Sequence, residues 1–310
     1  MSFNHIPVLL KETIEGLNIK EDGIYVDCTL GGAGHAEEIL KILKSGKLIG
    51  IDQDEAAIKY SSEKLSRYGD RFIPIRSNFD NIGEILKDLG IDKIDGAMMD
   101  IGVSSHQIDE SSRGFSYMED AILDMRMDDR VELSAKEIVN SYTKAELEDI
   151  FWKYGEEKWG RRIAEFIVDK RASKTINTTY ELVDIIQSAI PKAARKNGGH
   201  PAKRVFQALR IEVNKELDVL TNTIPSIVEM MNPGSRLAII TFHSLEDRIV
   251  KNIFKDLSRG CICPKDFPIC VCNHERKIKI INRKPIIAGD KELKENSRAK
   301  SAKLRIAQRV

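Results

Sequence analysis

Short apolar runs and helically spaced segments alternate over the first hundred residues of the chain. Residues 24–31 (IYVDCTLG) read as a buried strand running into a glycine turn, and Ala36 to Leu43 then repeats its apolar positions with helical spacing. Lys47 to Asp52 (KLIGID) is a second apolar run, followed by a helical stretch from Glu55 to Leu65. Arg71 to Ile75 and Ile94 to Asp100 (IDGAMMD) supply a third and a fourth. Strands separated by helical segments predict an α/β fold with a doubly wound, Rossmann-like parallel sheet. From about Glu132 to Leu220 the strand pattern stops, and the segments around 145–154, 161–170, 180–190 and 202–220 all carry helical periodicity. The sheet resumes at Arg236 to Phe242 after the turn Asn232-Pro233-Gly234, and a last strand is expected at Lys277 to Ile281. The expectation is a helical domain inserted into a sheet domain.

The first candidate for chemistry is the turn Asp27-Cys28-Thr29-Leu30-Gly31-Gly32-Ala33-Gly34-His35, where glycines let a ligand approach the backbone at a helix start. A dinucleotide fingerprint counted from Gly32 needs glycine at position 37, and Glu37 stands there, disfavouring a pyrophosphate. Asp52 ends the second strand about 20 residues after the turn, where a carboxylate accepts hydrogen bonds from ribose hydroxyls. Asn78 and Phe79, beyond the third strand, are placed to flank an adenine, although a phenylalanine there also suits the core. Asp27 adds an acidic floor suited to a sulfonium or ammonium. Adenosine with a cationic amino-acid tail therefore fits better than a nicotinamide dinucleotide.

Asp100-Ile101-Gly102-Val103-Ser104-Ser105-His106-Gln107 follows the fourth strand, at the carboxyl end of the sheet where open α/β folds place their reacting ligand. A conjugated exocyclic amine is a weak nucleophile, and a carboxylate on its hydrogens draws the nitrogen towards a tetrahedral state. Asp100 is the candidate for that role. The segment leads a series: Arg113 to Ser116 (RGFS), Leu123 to Asp128 (LDMRMD), Tyr154 to Glu157 (YGEE), His200-Pro201-Ala202, Phe206 to Ile211 (FQALRI) and Phe242 to Arg248 (FHSLEDR). Together these strongly resemble the bacterial 16S ribosomal RNA (cytosine-N4)-methyltransferase family (RsmH/MraW), from His5 to Ser297–Ala302.

The resemblance implies a class I methyltransferase sheet formed by 1–108 and 215–310, with an inserted helical substrate-recognition domain over 109–214. It implies S-adenosyl-L-methionine as cofactor, and Ala33, Gly34, His35, Asp52, Phe79, Asp100 and Gln107 as its contacts. The implied partner is 16S ribosomal RNA or the assembled small subunit, with no membrane and no DNA. Two positions depart from the family pattern: His106 stands where proline is common, and Ala33 where glycine is frequent. A non-catalytic RNA-binding assembly factor and a DNA or small-molecule amine methyltransferase are the competing readings.

Composition adds less. With 310 residues and 42% hydrophobic content the chain can bury a large core and a smaller helical domain. No apolar stretch approaches the roughly 20 residues that span a bilayer, and Met1 to Leu10 carries no export signal, so a cytoplasmic location is expected. A net charge of +1 hides an asymmetry, because Arg276 to Val310 holds 12 Lys/Arg against 3 Asp/Glu. That arm reads equally as a polyanion contact or a solvated tail. Lys192 to Lys215, with Arg113 and Arg126, offers further positive charge for RNA positioning. His243 is open between a site role and a structural one. Cys261, Cys263, Cys270 and Cys272 cluster within twelve residues. One residue between the members of each pair is short for a structural zinc, which favours a reduced surface loop and leaves zinc as the alternative.

Overall fold

A computed structural model of the chain describes residues 6–310 except 198, 262, 265, 266, 268, 270 and 273. Its strands are β1 (Ile24–Asp27), β2 (Lys47–Asp52), β3 (Phe72–Arg76), β4 (Ile94–Asp100), β5 (Met231–Thr241), β6 (Ile278–Ile280) and β7 (Lys303–Arg309). They form one sheet in the order β3-β2-β1-β4-β5-β7-β6. Pairs from β3 to β5 are parallel, and β7 runs antiparallel to both β5 and β6.

Successive residues of the inner strands face opposite sides of this sheet, and both sides are apolar. Val26, Ile49, Met99 and Ile239 join one buried cluster, filled from outside by Leu220, Ile224 and Ile227 of helix Glu216–Met230 and by Val250 and Phe254 of helix Ser244–Leu257. Their strand neighbours Tyr25, Leu48, Met98 and Ile240 join the other, filled by Ala36, Ile39 and Leu40 of helix Gly34–Ile42. Each fully buried side chain of this kind contributes about 1.5–3 kcal/mol of transfer free energy. The strands are thereby fixed in register, and with them the residues at their ends.

The C-terminal arm departs from expectation. Residues 303–309 are a sheet strand, with Leu304, Ile306 and Ala307 buried and Arg305 only 7% exposed. Arg305 Nε donates to Asp247 Oδ1 at 2.6 Å, and Lys303 Nζ lies 3.3 Å from Asp247 Oδ2, so part of the arm's charge is neutralised inside the fold.

The chain divides into two compact units, Met1–Gly102 with Leu217–Val310, and Val103–Glu216. The second is helical, and four of its described helices start with reciprocal caps: Ser104 with Gln107, Ser134 with Glu137, Thr143 with Glu146, and Thr178 with Glu181. Tyr117 stacks on His200 at 4.5 Å between ring centroids. Most of the arginines read as phosphate contacts are spent within this unit. Arg113 donates to the Arg126 and Met127 carbonyls, Arg126 is bidentate on Asp124, and Arg210 is bidentate on Glu216. Lys203 and Arg204 are exposed.

Candidate active site

Asp27, Asp52 and Asp100 end three adjacent strands, with Asp27 opposite Gly50 of β2 and Met98 of β4. After β1 the chain is shared between both neighbours: Cys28 N–H donates to the Met98 carbonyl and Leu30 N–H to the Ile51 carbonyl, each at 3.0 Å. This is the crevice where the strand order reverses, and the glycine turn lies over it. Gly31 has φ +46°, and a Cβ there would meet nothing nearer than the Thr29 carbonyl at 3.9 Å, so the turn borders open space. Gly34 opens the following helix, and a Cβ there would come within 2.1 Å of the Pro7 ring. Ala33 between them is left-handed at φ 56°, costing roughly 1–2 kcal/mol for a residue with a Cβ, which explains why glycine is frequent there in the resembling family.

Each aspartate is held differently. Asp52 accepts the Gly31 N–H at 2.8 Å and the Asp54 N–H at 2.9 Å, tying the end of β2 to the turn. Burial pushes its carboxyl up to about 6 against these bonds. Asp27 is 1% exposed, accepts the Thr29 N–H at 3.1 Å, and is pushed up to about 7 by burial and then by the charge of Asp52. Asp100 is pushed up to about 8 by burial and then by Asp27 and Glu246. Its Oδ1 is buried with no hydrogen-bond partner among the described residues. Its backbone N–H donates to Thr29 Oγ1 at 2.6 Å.

His35 lies beside Asp100, with Nδ1 3.9 Å from Oδ2. Its Nε2 stands 3.0 Å from the Val8 carbonyl, and since that oxygen can only accept, Nε2 carries the hydrogen. Phe79 starts a short turn of helix after β3, partly buried against the core, and Asn78 before it donates from Nδ2 to Gln53 Oε1 at 3.2 Å. β3 and β2 are therefore joined just beyond Asp52. Gln107 falls in the helical unit, where it is 4% exposed and closes the cap of helix Ser105–Asp109 by accepting the Ser104 N–H at 3.0 Å. His243 caps helix Ser244–Leu257, and its Nε2 lies 2.9 Å from Oε1 of the fully buried Glu246.

Sequence reasoning passed over Thr29, whose hydroxyl anchors the Asp100 backbone from 71 residues away, and Glu246, whose charge raises Asp100. Thr29 was in plain view within the glycine turn, but its partner is set by the pairing of β1 with β4. The Glu37 that breaks the dinucleotide pattern is paired with Lys64 at 3.3 Å and with Arg67.

A sheet ordered 3-2-1-4-5-7-6 with its seventh strand reversed is the Rossmann-like arrangement of class I methyltransferases, and its acidic, glycine-lined crevice suits the cationic S-adenosylmethionine they use. The chain belongs to the MraW methylase family, which matches residues 2–310. Ribosomal RNA small subunit methyltransferase H of Finegoldia magna and that of Clostridioides difficile are each 58% identical to it over 311 residues, covering 100% of this chain and 100% of theirs. The solved structure of an rRNA methylase from Streptococcus thermophilus is 10% identical, with 97% of this chain and 93% of that one covered and a TM-score of 0.43. Among the described residues no helix is long and apolar enough to cross a membrane.

Proposed function

We propose that this chain transfers the methyl group of S-adenosyl-L-methionine to the exocyclic N4 amine of a cytosine in the decoding region of 16S ribosomal RNA, in the cytoplasm. Two relatives of the same length carry the name of small-subunit ribosomal RNA methyltransferases, which supports RNA as the substrate. The observation that carries the amine is Asp100, a part-buried carboxyl at the end of β4 whose buried Oδ1 has no hydrogen-bond partner among the described residues. A carboxyl so placed accepts an amine hydrogen and holds the nitrogen lone pair out of conjugation.

The cofactor supplies a methyl group on a sulfonium, a good leaving group. Ala33, Gly34, His35, Asp52, Phe79 and Asp100 are assigned to hold it, and the family pattern adds Gln107. Asp52 accepts backbone N–H groups on both oxygens, and its roughly four lone-pair sites still leave room for a ribose hydroxyl. Phe79 flanks the adenine, and the first turn of helix Gly34–Ile42 offers N–H groups to a carboxylate. A cation in the crevice restores ionisation to Asp27 and Asp100, which burial holds towards the neutral form. As the nitrogen–carbon bond forms and the sulfur–carbon bond breaks, the amine becomes strongly acidic, and water suffices to take its proton. His243 is then a helix cap rather than a required base. The helical unit is assigned to RNA recognition, with the exposed Lys203 and Arg204 as phosphate contacts.

The test offers tritiated S-adenosylmethionine with four acceptors side by side: unmodified small ribosomal subunits, naked 16S ribosomal RNA, duplex DNA and free cytidine. Label is expected in subunits or ribosomal RNA and in neither of the others. Label in DNA or cytidine contradicts the assignment, and cofactor binding without transfer to any acceptor leaves a non-catalytic RNA-binding protein.

A further inference from the structure

None of the residues assigned above to methyl transfer lies in the loop between helix Ser244–Leu257 and β6. Its base is closed where Lys277 N–H donates to the Leu257 carbonyl at 2.9 Å. Between these points, over 259–276, no described residue is buried, and Phe267, Ile269 and Val271 are exposed. With none of its described residues buried, the segment gains little from apolar burial to offset the entropy of ordering those residues. Yet three of its cysteines converge. The sulfurs of Cys261, Cys263 and Cys272 all lie within 4.8 Å of one another, and those of Cys261 and Cys272 are 3.8 Å apart.

That separation far exceeds the roughly 2.05 Å of a disulfide. It matches the edge of a tetrahedron with zinc–sulfur bonds of about 2.3 Å, which is about 3.8 Å. Val271 N–H donates to Cys263 Sγ at 3.4 Å, which fixes the direction of that side chain. The short Cys-x-Cys spacing, which counts against zinc when read along the chain, loses its force once the loop is folded. Cys261 and Cys272 approach from opposite limbs, 11 residues apart, so neither pair has to chelate alone. The fourth cysteine of the cluster, Cys270, lies outside the described residues.

The geometry points to a structural zinc ion held by at least Cys261, Cys263 and Cys272, closing the loop ahead of β6. Thiolates of this softness select zinc among the common divalent ions of borderline character. The loop then owes its order to the metal, while the methyl-transfer crevice keeps its own residues.

The test uses the full-length chain purified under reducing conditions without chelator. About one zinc per chain is expected by elemental analysis. Cys261→Ser and Cys272→Ser are each expected to lose it, whereas Cys28→Ser, which alters a cysteine buried in the sheet core, retains it. Should a loop variant fail to fold, the wild-type chain stripped of metal and reduced is expected to take up cobalt(II). The complex should show thiolate-to-cobalt charge-transfer absorption that zinc abolishes. Zinc retained by both loop variants overturns the proposal. So does a wild-type chain that holds no stoichiometric zinc and gives no such absorption, whether its thiols prove free or joined as a Cys261–Cys272 disulfide.

Discussion

Asp100 and Asp52 occupy equivalent strand ends in different surroundings, and the proposed mechanism gives them different work. Asp52 is bonded to the backbone on both oxygens, a fixed acceptor whose contacts change little as a methyl group moves. Asp52→Ala is expected to weaken S-adenosylmethionine binding about ten- to a hundredfold, the value of one charged hydrogen-bond pair, with a smaller effect on turnover at saturation. Calorimetry checks this, and an unchanged dissociation constant removes Asp52 from the cofactor contacts. Asp100→Ala is expected to keep measurable cofactor affinity and lose roughly 10²–10³ in turnover, the range for a preorganised electrostatic group. A near-normal single-turnover rate in that variant ends its catalytic assignment. Protons supply an independent check. The free site holds Asp27 and Asp100 up to about 7 and about 8, and a bound cation lowers both, so binding releases protons. Affinity therefore rises with pH from about 6 to 8 and levels off above the free-state values. Titration in two buffers of different ionisation enthalpy is expected to show net proton release near pH 6.5, and no linkage across that window contradicts the cation site.

At the scale of elements, β1 to β4 were legible because each is a short apolar run and three end in an aspartate whose side chain serves the crevice. β7 was not legible. Its sequence, KLRIAQR, carries three basic residues, and the partner that makes Arg305 tolerable, Asp247, is 58 residues away. No local pattern announces a charge neutralised across a sheet. Arg126 and Arg210 find their partners nearby, at Asp124 and Glu216, yet helical periodicity alone does not say which neighbouring acceptor an arginine takes. Burial alone would raise the Asp247 carboxyl, but the hydrogen bond and charge of Arg305, then Lys303, hold it below the usual carboxylate range. Its pairing thus adds stability above the unfolded-state pKa, and that stability fades as pH falls through the folded-state value. Arg305→Ala is expected to destabilise by about 1–3 kcal/mol at neutral pH, with the loss shrinking in acid. Thermal unfolding reads this directly, and an unchanged midpoint at neutral pH shows that the Arg305–Asp247 pair adds no net stability.

Across the whole molecule, the sheet unit holds the strand-end aspartates Asp27, Asp52 and Asp100, and the helical unit comprises Val103–Glu216. Helical periodicity interrupts the strand pattern within the stretch that forms the helical unit, whereas the reading of the RNA came from motifs rather than from any physical pattern. The claim on which the functional reading turns is the atom that receives the methyl group. It is read by incubating the chain with S-adenosylmethionine carrying a trideuterated methyl and small subunits lacking the modification, then digesting the ribosomal RNA to nucleosides for mass spectrometry. The expected product is cytidine labelled at N4, from a single decoding-region position. Label on cytosine C5, on a ribose oxygen or on another base, or no label while cofactor binding persists, contradicts it.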